Sequence, residues 1–312
     1  MICGHGSRDE SAVDEFNRLA AHFKARLPGH DIESGFLEFA SPVIRTGLEK
    51  LASRGAKKIV CIPSMLFAAG HVKNDLPSEI NNFALEYPHI EVSFGRELSI
   101  DSRLLEACKK RIEEAEGPSQ KNIDLVRKES LLMVVGRGTS DPDANSNISK
   151  VARMLWEGMG FGWGEVSYSG VTYPLVDEGL ERSVSLGFKR IVVFPYFLFT
   201  GILVRRIYAW TDETAKKYPN IQFIKAGYLN DHENVIDTFL NRFYESLSGE
   251  NNMNCQLCKY REQIIGYEND QGAAQVGHHH HVSGVGTDGH GAHDHGVYHR
   301  HEHHKHSHKK DG

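Results

Sequence analysis

Two histidines and one carboxylate have the residue type and placement to hold a metal ion. His5 lies in Gly4-His5-Gly6-Ser7, directly after a short apolar start. Glu38 closes a predicted strand containing Gly35-Phe36-Leu37, and His71 lies in MLFAAGHVKND, the loop after a strand ending near Pro63. Ligands of open parallel sheets gather beyond the carboxyl ends of the strands, so these three side chains are expected to converge on one face. Imidazole and carboxylate suit a borderline divalent ion such as cobalt, iron, nickel or zinc. Three ligands leave coordination positions open, so an ion held this way can be selected and then passed on. A neutral imidazole beside it can also accept protons.

The surrounding residues admit other readings. A glycine-rich turn after a strand can cradle a phosphate at the next helix N-terminus, but Gly4-His5-Gly6-Ser7 lacks the spacing of a Walker loop or a dinucleotide fingerprint. Ser7 and Asp9 fit helix-cap positions. The run before His71 could be plain core, yet Ala68, Ala69 and Gly70 are small enough to let a flat macrocycle approach the backbone.

Two further features carry metal chemistry. Cys255 and Cys258 form a Cys-x-x-Cys pair, which suits an iron-sulfur, zinc or redox site; a four-thiolate site would need ligands from a second subunit or from elsewhere in the chain. The tail holds His278, His279, His280, His281, His290, His293, His295, His299, His301, His303, His304, His306 and His308 among Gly, Asp and Lys. It has too few apolar residues for a core, so it is expected to be disordered without metal and to offer weak, exchangeable sites that concentrate transition metal.

The elements that position these residues follow from an internal repeat. Gly4-His5-Gly6-Ser7-Arg8-Asp9 aligns with Gly136-Arg137-Gly138-Thr139-Ser140-Asp141, an offset of 132 residues. The same offset carries Pro42 onto Pro174, Gly47-Leu48-Glu49 onto Gly179-Leu180-Glu181, Gly55 onto Gly187, Pro63 onto Pro195 and Phe67 onto Phe199. Each copy alternates strands and helices. The first predicts helix 12–26, strand 32–39, helix 42–53 and strand 58–63; the second predicts strand 131–136, helix 145–156, strand 165–171, helix 176–186 and a strand from Arg190. Only Met1-Ile2-Cys3 precede the first glycine turn, against Leu131 to Val135 in the second copy, so the first strand is expected to be short or to continue upstream. The offset maps His5 onto Arg137, Glu38 onto Gly170 and His71 onto Leu203. A fold requirement for the three ligands would have kept them in both copies.

The chain therefore divides into a ligand-bearing lobe at 1–115, a polar connector at 116–130 around Gly117-Pro118-Ser119, a second lobe at 131–248, and the cysteine pair with its histidine tail at 249–312. A formal charge of −5 supplies no general basic field, which argues against a nucleic-acid partner. The sequence has no apolar run of about 18 residues, which argues against a membrane span. The first residues lack signal-peptide order, and five cysteines are too sparse for a secreted disulfide framework. The expected location is the cytoplasm.

These residues resemble the CbiX-type sirohydrochlorin chelatases in their long, duplicated form. The resemblance rests on GHGSRD at 4–9, FLEFASPVI at 36–44, PSMLFAAGHVKNDLP at 63–77, PYFLFTGILV at 195–204, MxCxxC at 253–258 and the terminal histidines. It implies a class II chelatase fold of two flavodoxin-like α/β lobes facing a cleft. It also implies nucleotide-free insertion of Co2+ into sirohydrochlorin in the anaerobic branch of cobalamin synthesis, with insertion of iron to make sirohaem as the close variant. By the same resemblance His5, Glu38 and His71 hold the metal, His5 doubles as proton acceptor, and Ser41 with Leu66, Phe67, Ala68, Ala69 and Gly70 contacts the tetrapyrrole. It further implies an iron-sulfur centre at Cys255 and Cys258, for which a homodimer is one way to complete the ligand set. A competing reading treats the tail as the function, in metal storage or delivery, with the lobes as scaffold.

Overall fold

The computed structural model describes residues 1–117 and 122–250. Each copy of the repeat builds a four-stranded, all-parallel sheet. The first contains β1 (Ile2–Gly4), α1 (Glu10–Ala25), β2 (Ser34–Phe36), α2 (Ile44–Ser53), β3 (Lys58–Pro63), a π-helical turn (His71–Asp75) running into α3 (Leu76–Glu86), β4 (Glu91–Phe94) and α4 (Ser102–Glu116). After α5 (Ile123–Lys128) come β5 (Ser130–Gly136), α6 (Pro142–Met159), β6 (Trp163–Tyr168), α7 (Val176–Ser185), β7 (Arg190–Pro195), α8 (Ile202–Lys217), β8 (Gln222–Lys225) and α9 (Glu233–Leu247). Strand orders are β2-β1-β3-β4 and β6-β5-β7-β8.

The two sheets keep the sequence offset in their register. Gly4 pairs with Phe36 and Cys3 with Pro63; one offset later Gly136 pairs with Tyr168 and Val135 with Pro195. In this order the chain leaves β1 for one neighbour and later crosses to the other, so the carboxyl ends of β1 and β3 flank a topological switch point.

Period-two alternation sorts the strand residues between cores. Ile2, Val60, Ile62, Leu132, Val134, Val192 and Phe194 share one large core with α1, α4, α6 and α9. Cys3, Ile59 and Cys61 face a separate core under α2 and α3, and Leu131, Met133, Val135, Ile191 and Val193 face another under α7 and α8. The large core is common to both lobes because their last helices are exchanged: α4 packs on α6 and β8, and α9 packs on α1 and β3. Buried Arg242 of α9 fastens the exchange, donating to the Glu97 carbonyl at 3.0 Å, to Asp101 at 3.2 Å and to the Leu98 carbonyl.

Several boundaries differ from the sequence expectation. Strand β2 ends at Phe36, not Phe39, because Leu37 and Glu38 donate to the Gly4 and His5 carbonyls at 2.8 and 3.0 Å and Phe39 then turns the chain at φ 64°. Glu38 therefore follows its strand instead of closing it. Helix α6 starts at Pro142, ahead of Asn145, because Asp141 caps it by accepting from the Asp143 amide at 3.1 Å and Pro142 occupies the first turn. The polar connector contains α5, whose Arg127 joins Glu116 and Arg190 in a buried ion cluster at 2.5 to 3.1 Å. Strand β1 has three residues against seven in β5. The cysteine pair Cys255 and Cys258, the histidine tail and its expected disorder lie outside the described residues. No described helix is long and apolar enough to cross a membrane.

Candidate metal centre

The turn after β1 fixes His5 through its neighbours. Gly6 adopts φ 98°, and a Cβ there would lie 1.6 Å from the Glu38 carbonyl oxygen, so only glycine lets the two loops close together. The second lobe repeats the device: Gly138 adopts φ 83°, and a Cβ would lie 1.9 Å from the Gly170 carbonyl. His71 opens the π-helical turn after β3, whereas its counterpart Leu203 sits in the regular helix α8. Such local π geometry is frequent at functional sites.

These elements bring the three predicted ligands together. His5 Nε2 lies 2.9 Å from His71 Nε2 and 3.5 Å from Glu38 Oε1, and one ligand atom from each residue falls within 4.8 Å of the others. Glu38 is nearly buried, while the imidazoles keep 30% and 23% of their side-chain surface accessible, so a cation can reach the site from solvent.

The outer partners orient the rings. His5 Nδ1 donates to the Gly6 carbonyl at 2.9 Å, and His71 Nδ1 donates to Asp75 Oδ2 at 2.9 Å. A carbonyl and a carboxylate accept only, so hydrogen resides on both Nδ1 atoms and both Nε2 atoms are left as ligand atoms. Two Nε2 lone pairs at 2.9 Å repel unless a proton or a cation lies between them. A cation bound between them relieves that repulsion.

Residues 73–75, which the sequence analysis did not single out, support the turn. Asp75 has no exposed side-chain surface and also accepts from Asn74 Nδ2 at 3.0 Å. Lys73, buried, donates to Asp141 Oδ2 and Asp143 Oδ2 at 2.9 Å each, pinning the His71 turn to the start of α6 in the second lobe. The available signal was an aspartate four residues after a histidine on a helical turn, where the two side chains meet.

The residues expected to contact a macrocycle divide by position. Leu66 and Phe67 pack against the shared core, and Phe67 stacks on Tyr196 with ring centroids 5.5 Å apart. Ala68 is buried in the first lobe's own core, whereas Ala69 and Gly70 are partly accessible at the foot of the His71 turn. Ser41 is exposed and, with Ser7, Arg8 and Phe39, lines a cavity of about 460 Å³. Phe39 links that cavity to the centre, its ring centroid 6.1 Å from that of His5 and 5.0 Å from the Arg8 guanidinium carbon.

In the second lobe Arg137, Gly170 and Leu203 replace the ligands. Arg137 is accessible to water yet walled by protein; desolvation lowers its pKa below the ordinary arginine value, and the Glu38 carboxylate offsets this in part.

The profile of the CbiX family matches residues 1–115 and 131–246. The chain belongs to the CbiX family. A sirohydrochlorin cobaltochelatase of Priestia megaterium is 39% identical over 85% of this chain and 85% of its own length. A sirohydrochlorin ferrochelatase of the same organism is 33% identical over 80% of this chain and 91% of its own. Among solved structures, SirB from Bacillus subtilis with Fe3+ superposes with a TM-score of 0.70 at 28% identity, covering 80% of this chain and 97% of that one. The sirohydrochlorin chelatase SirB from Bacillus subtilis subspecies spizizenii in complex with cobalt gives 0.66 at 29% identity with the same coverage. The CbiX profile thus spans both sheets, and within this CbiX chain the described metal-ligand cluster belongs to the first.

Proposed function

We propose that this CbiX-family chain is a lyase-type metal chelatase that inserts Co2+ into sirohydrochlorin without nucleotide, as a step of cobalamin synthesis in the cytoplasm. The observation that carries the reading is the three-ligand cluster of His5, Glu38 and His71, open to solvent, with its imidazoles oriented by the Gly6 carbonyl and the buried Asp75 carboxylate. Metal and tetrapyrrole are both substrates. Insertion breaks two pyrrole N–H bonds and forms bonds from the metal to the ring nitrogens, so two protons must leave. His71, tethered to Asp75, keeps its ligand atom aimed at the incoming ion. His5 is held only through the Gly6 carbonyl, and once the metal moves to the macrocycle its Nε2 can accept one of the released protons. Glu38 neutralises part of the ion's charge, and Ser41 with the 66–70 loop flanks the space for the ring.

Cobalt is favoured by the cobaltochelatase relative, which has the higher identity of the two curated relatives described above. Iron is the second reading, supported by the ferrochelatase relative and the Fe3+-bound SirB neighbour. Purified protein, sirohydrochlorin and either Co2+ or Fe2+, without nucleotide, test both. Acceleration over the spontaneous rate with cobalt preferred is expected, and no acceleration with either metal overturns the assignment. Two finer proposals attach to the C-terminal region. Deletion after Ser248 should preserve activity at saturating metal and lower it when metal is scarce; loss at saturating metal would instead favour a tail-centred function. An iron-sulfur centre at Cys255 and Cys258 predicts broad visible absorption of protein prepared without air, lost in the double serine variant.

A further inference from the structure

We infer that Arg137 binds a peripheral carboxylate of the tetrapyrrole, so that the position corresponding to His5 in the second lobe holds the substrate opposite the metal ligands. The inference rests on the chelatase reading. Three observations carry it. The first is position: Arg137 follows β5 at the switch point of the second sheet, as His5 follows β1 in the first, and the glycine device behind it is the same. The second is proximity across the lobes. Lys73, two residues from His71, is bonded to Asp141 and Asp143, four and six residues beyond Arg137, and Arg137 lies within electrostatic reach of Glu38.

The third is the lack of any direct hydrogen-bond or ion-pair partner for its guanidinium. Other basic side chains around the centre are engaged: Lys73 by Asp141 and Asp143, Arg205 by Asp9, and Arg8 over the Phe39 ring. Among the described residues Arg137 makes no hydrogen bond or ion pair. A guanidinium left beside a centre that takes a dication opposes metal binding, unless an anion arrives with the second substrate. Sirohydrochlorin is rimmed by acetate and propionate groups, and a planar guanidinium matches a carboxylate through two parallel hydrogen bonds. The macrocycle bound there would lie between Arg137 and the triad, its nitrogens toward the metal.

The test uses the full chain and its Arg137→Gln and Arg137→Lys variants. Sirohydrochlorin binding is followed by its absorption without metal, and Co2+ binding is followed separately without tetrapyrrole. Arg137→Gln should raise the sirohydrochlorin Kd about 10- to 100-fold. Arg137→Lys should recover part of the loss, and Co2+ binding should hold steady or tighten in Arg137→Gln as the opposing charge is removed. Normal sirohydrochlorin affinity in Arg137→Gln, or a loss confined to Co2+ binding, overturns the inference while the chelatase reading stands. Wild-type protein that neither binds nor metallates sirohydrochlorin overturns both.

Discussion

Asp75→Asn isolates the support of a metal ligand from the ligand itself. The Asp75 carboxylate accepts from His71 Nδ1 on one oxygen, at 2.9 Å, and from Asn74 Nδ2 on the other, at 3.0 Å. An amide of the same shape has one oxygen and cannot serve both donors. Either Asn74 then faces an N–H or His71 does, and in the second case the imidazole loses the bond that aims its Nε2 into the site. Removing such an outer partner costs about 10- to 100-fold in metal affinity or activity, or roughly 1.4 to 2.8 kcal/mol. Solvent does not weaken the effect, because the Asp75 side chain is fully buried. Initial rates of sirohydrochlorin metallation at varied Co2+ should show the Co2+ KM raised by that factor with the tetrapyrrole KM unchanged. Urea unfolding of the same variant checks that the fold survives the roughly 1 to 3 kcal/mol attached to the lost charged hydrogen bond. A folded Asp75→Asn protein with wild-type Co2+ KM would refute the argument that this carboxylate sets the His71 ligand atom.

Lys73→Met leaves Asp141, which is 3% exposed, without its cation. About 3 kcal/mol of stability is expected to be lost, reduced toward 2 by the solvent already reaching Asp143, and urea unfolding measures it. Burial alone would lower the Lys73 pKa, but Asp141 and Asp143 outweigh it and raise it. The lysine's contribution is therefore complete below the unfolded lysine value of about 10.4 and is lost as pH rises through the folded one, so wild type and Lys73→Met should converge in stability only in alkali. Glu116→Gln strips the buried Arg127 and Arg190 of their shared carboxylate and should cost about 3 to 5 kcal/mol by the same assay, with sirohydrochlorin KM unaffected in protein that remains folded.

The ligand cluster was legible because two local signals coincided. Apolar runs ending in glycine marked the strand ends at Gly4 and Gly136, and the fixed offset showed which polar residues one copy had and the other lacked. Lys73 and Asp75 were not legible as functional, since a charged residue in a loop is usually solvated and only the π-helical turn and the opposite lobe bury these two. The helix exchange was hidden for a related reason. The apolar faces of α4 and α9 declare that they are covered, but not by which lobe. The connector's polar composition gave no sign of a buried cluster: Glu116 binds Arg127 close by in sequence and Arg190 from a strand 74 residues beyond it. Burial of charge is legible only once the pairing is known.

The two turns explain how the repeat could diverge without losing its fold. In both lobes the loop geometry is set by backbone: a left-handed glycine, a carbonyl against it, and an amide bonded back to the preceding strand, Leu37 to Gly4 in one and Ser169 to Gly136 in the other. None of these contacts involves the side chain at position 5, 38 or 71 or its counterpart. Replacing His5 by arginine, Glu38 by glycine and His71 by leucine in the second copy therefore leaves the sheet register intact, as the matched pairings of Gly4 with Phe36 and Gly136 with Tyr168 record. A flat macrocycle has one metal-binding centre, and a second set of ligands on its opposite face would compete for the ion the first must release. A cation in place of those ligands has the opposite effect, disfavouring metal on that side while favouring an anionic rim. The divergence of the second lobe fits the proposed delivery of a single ion from the first.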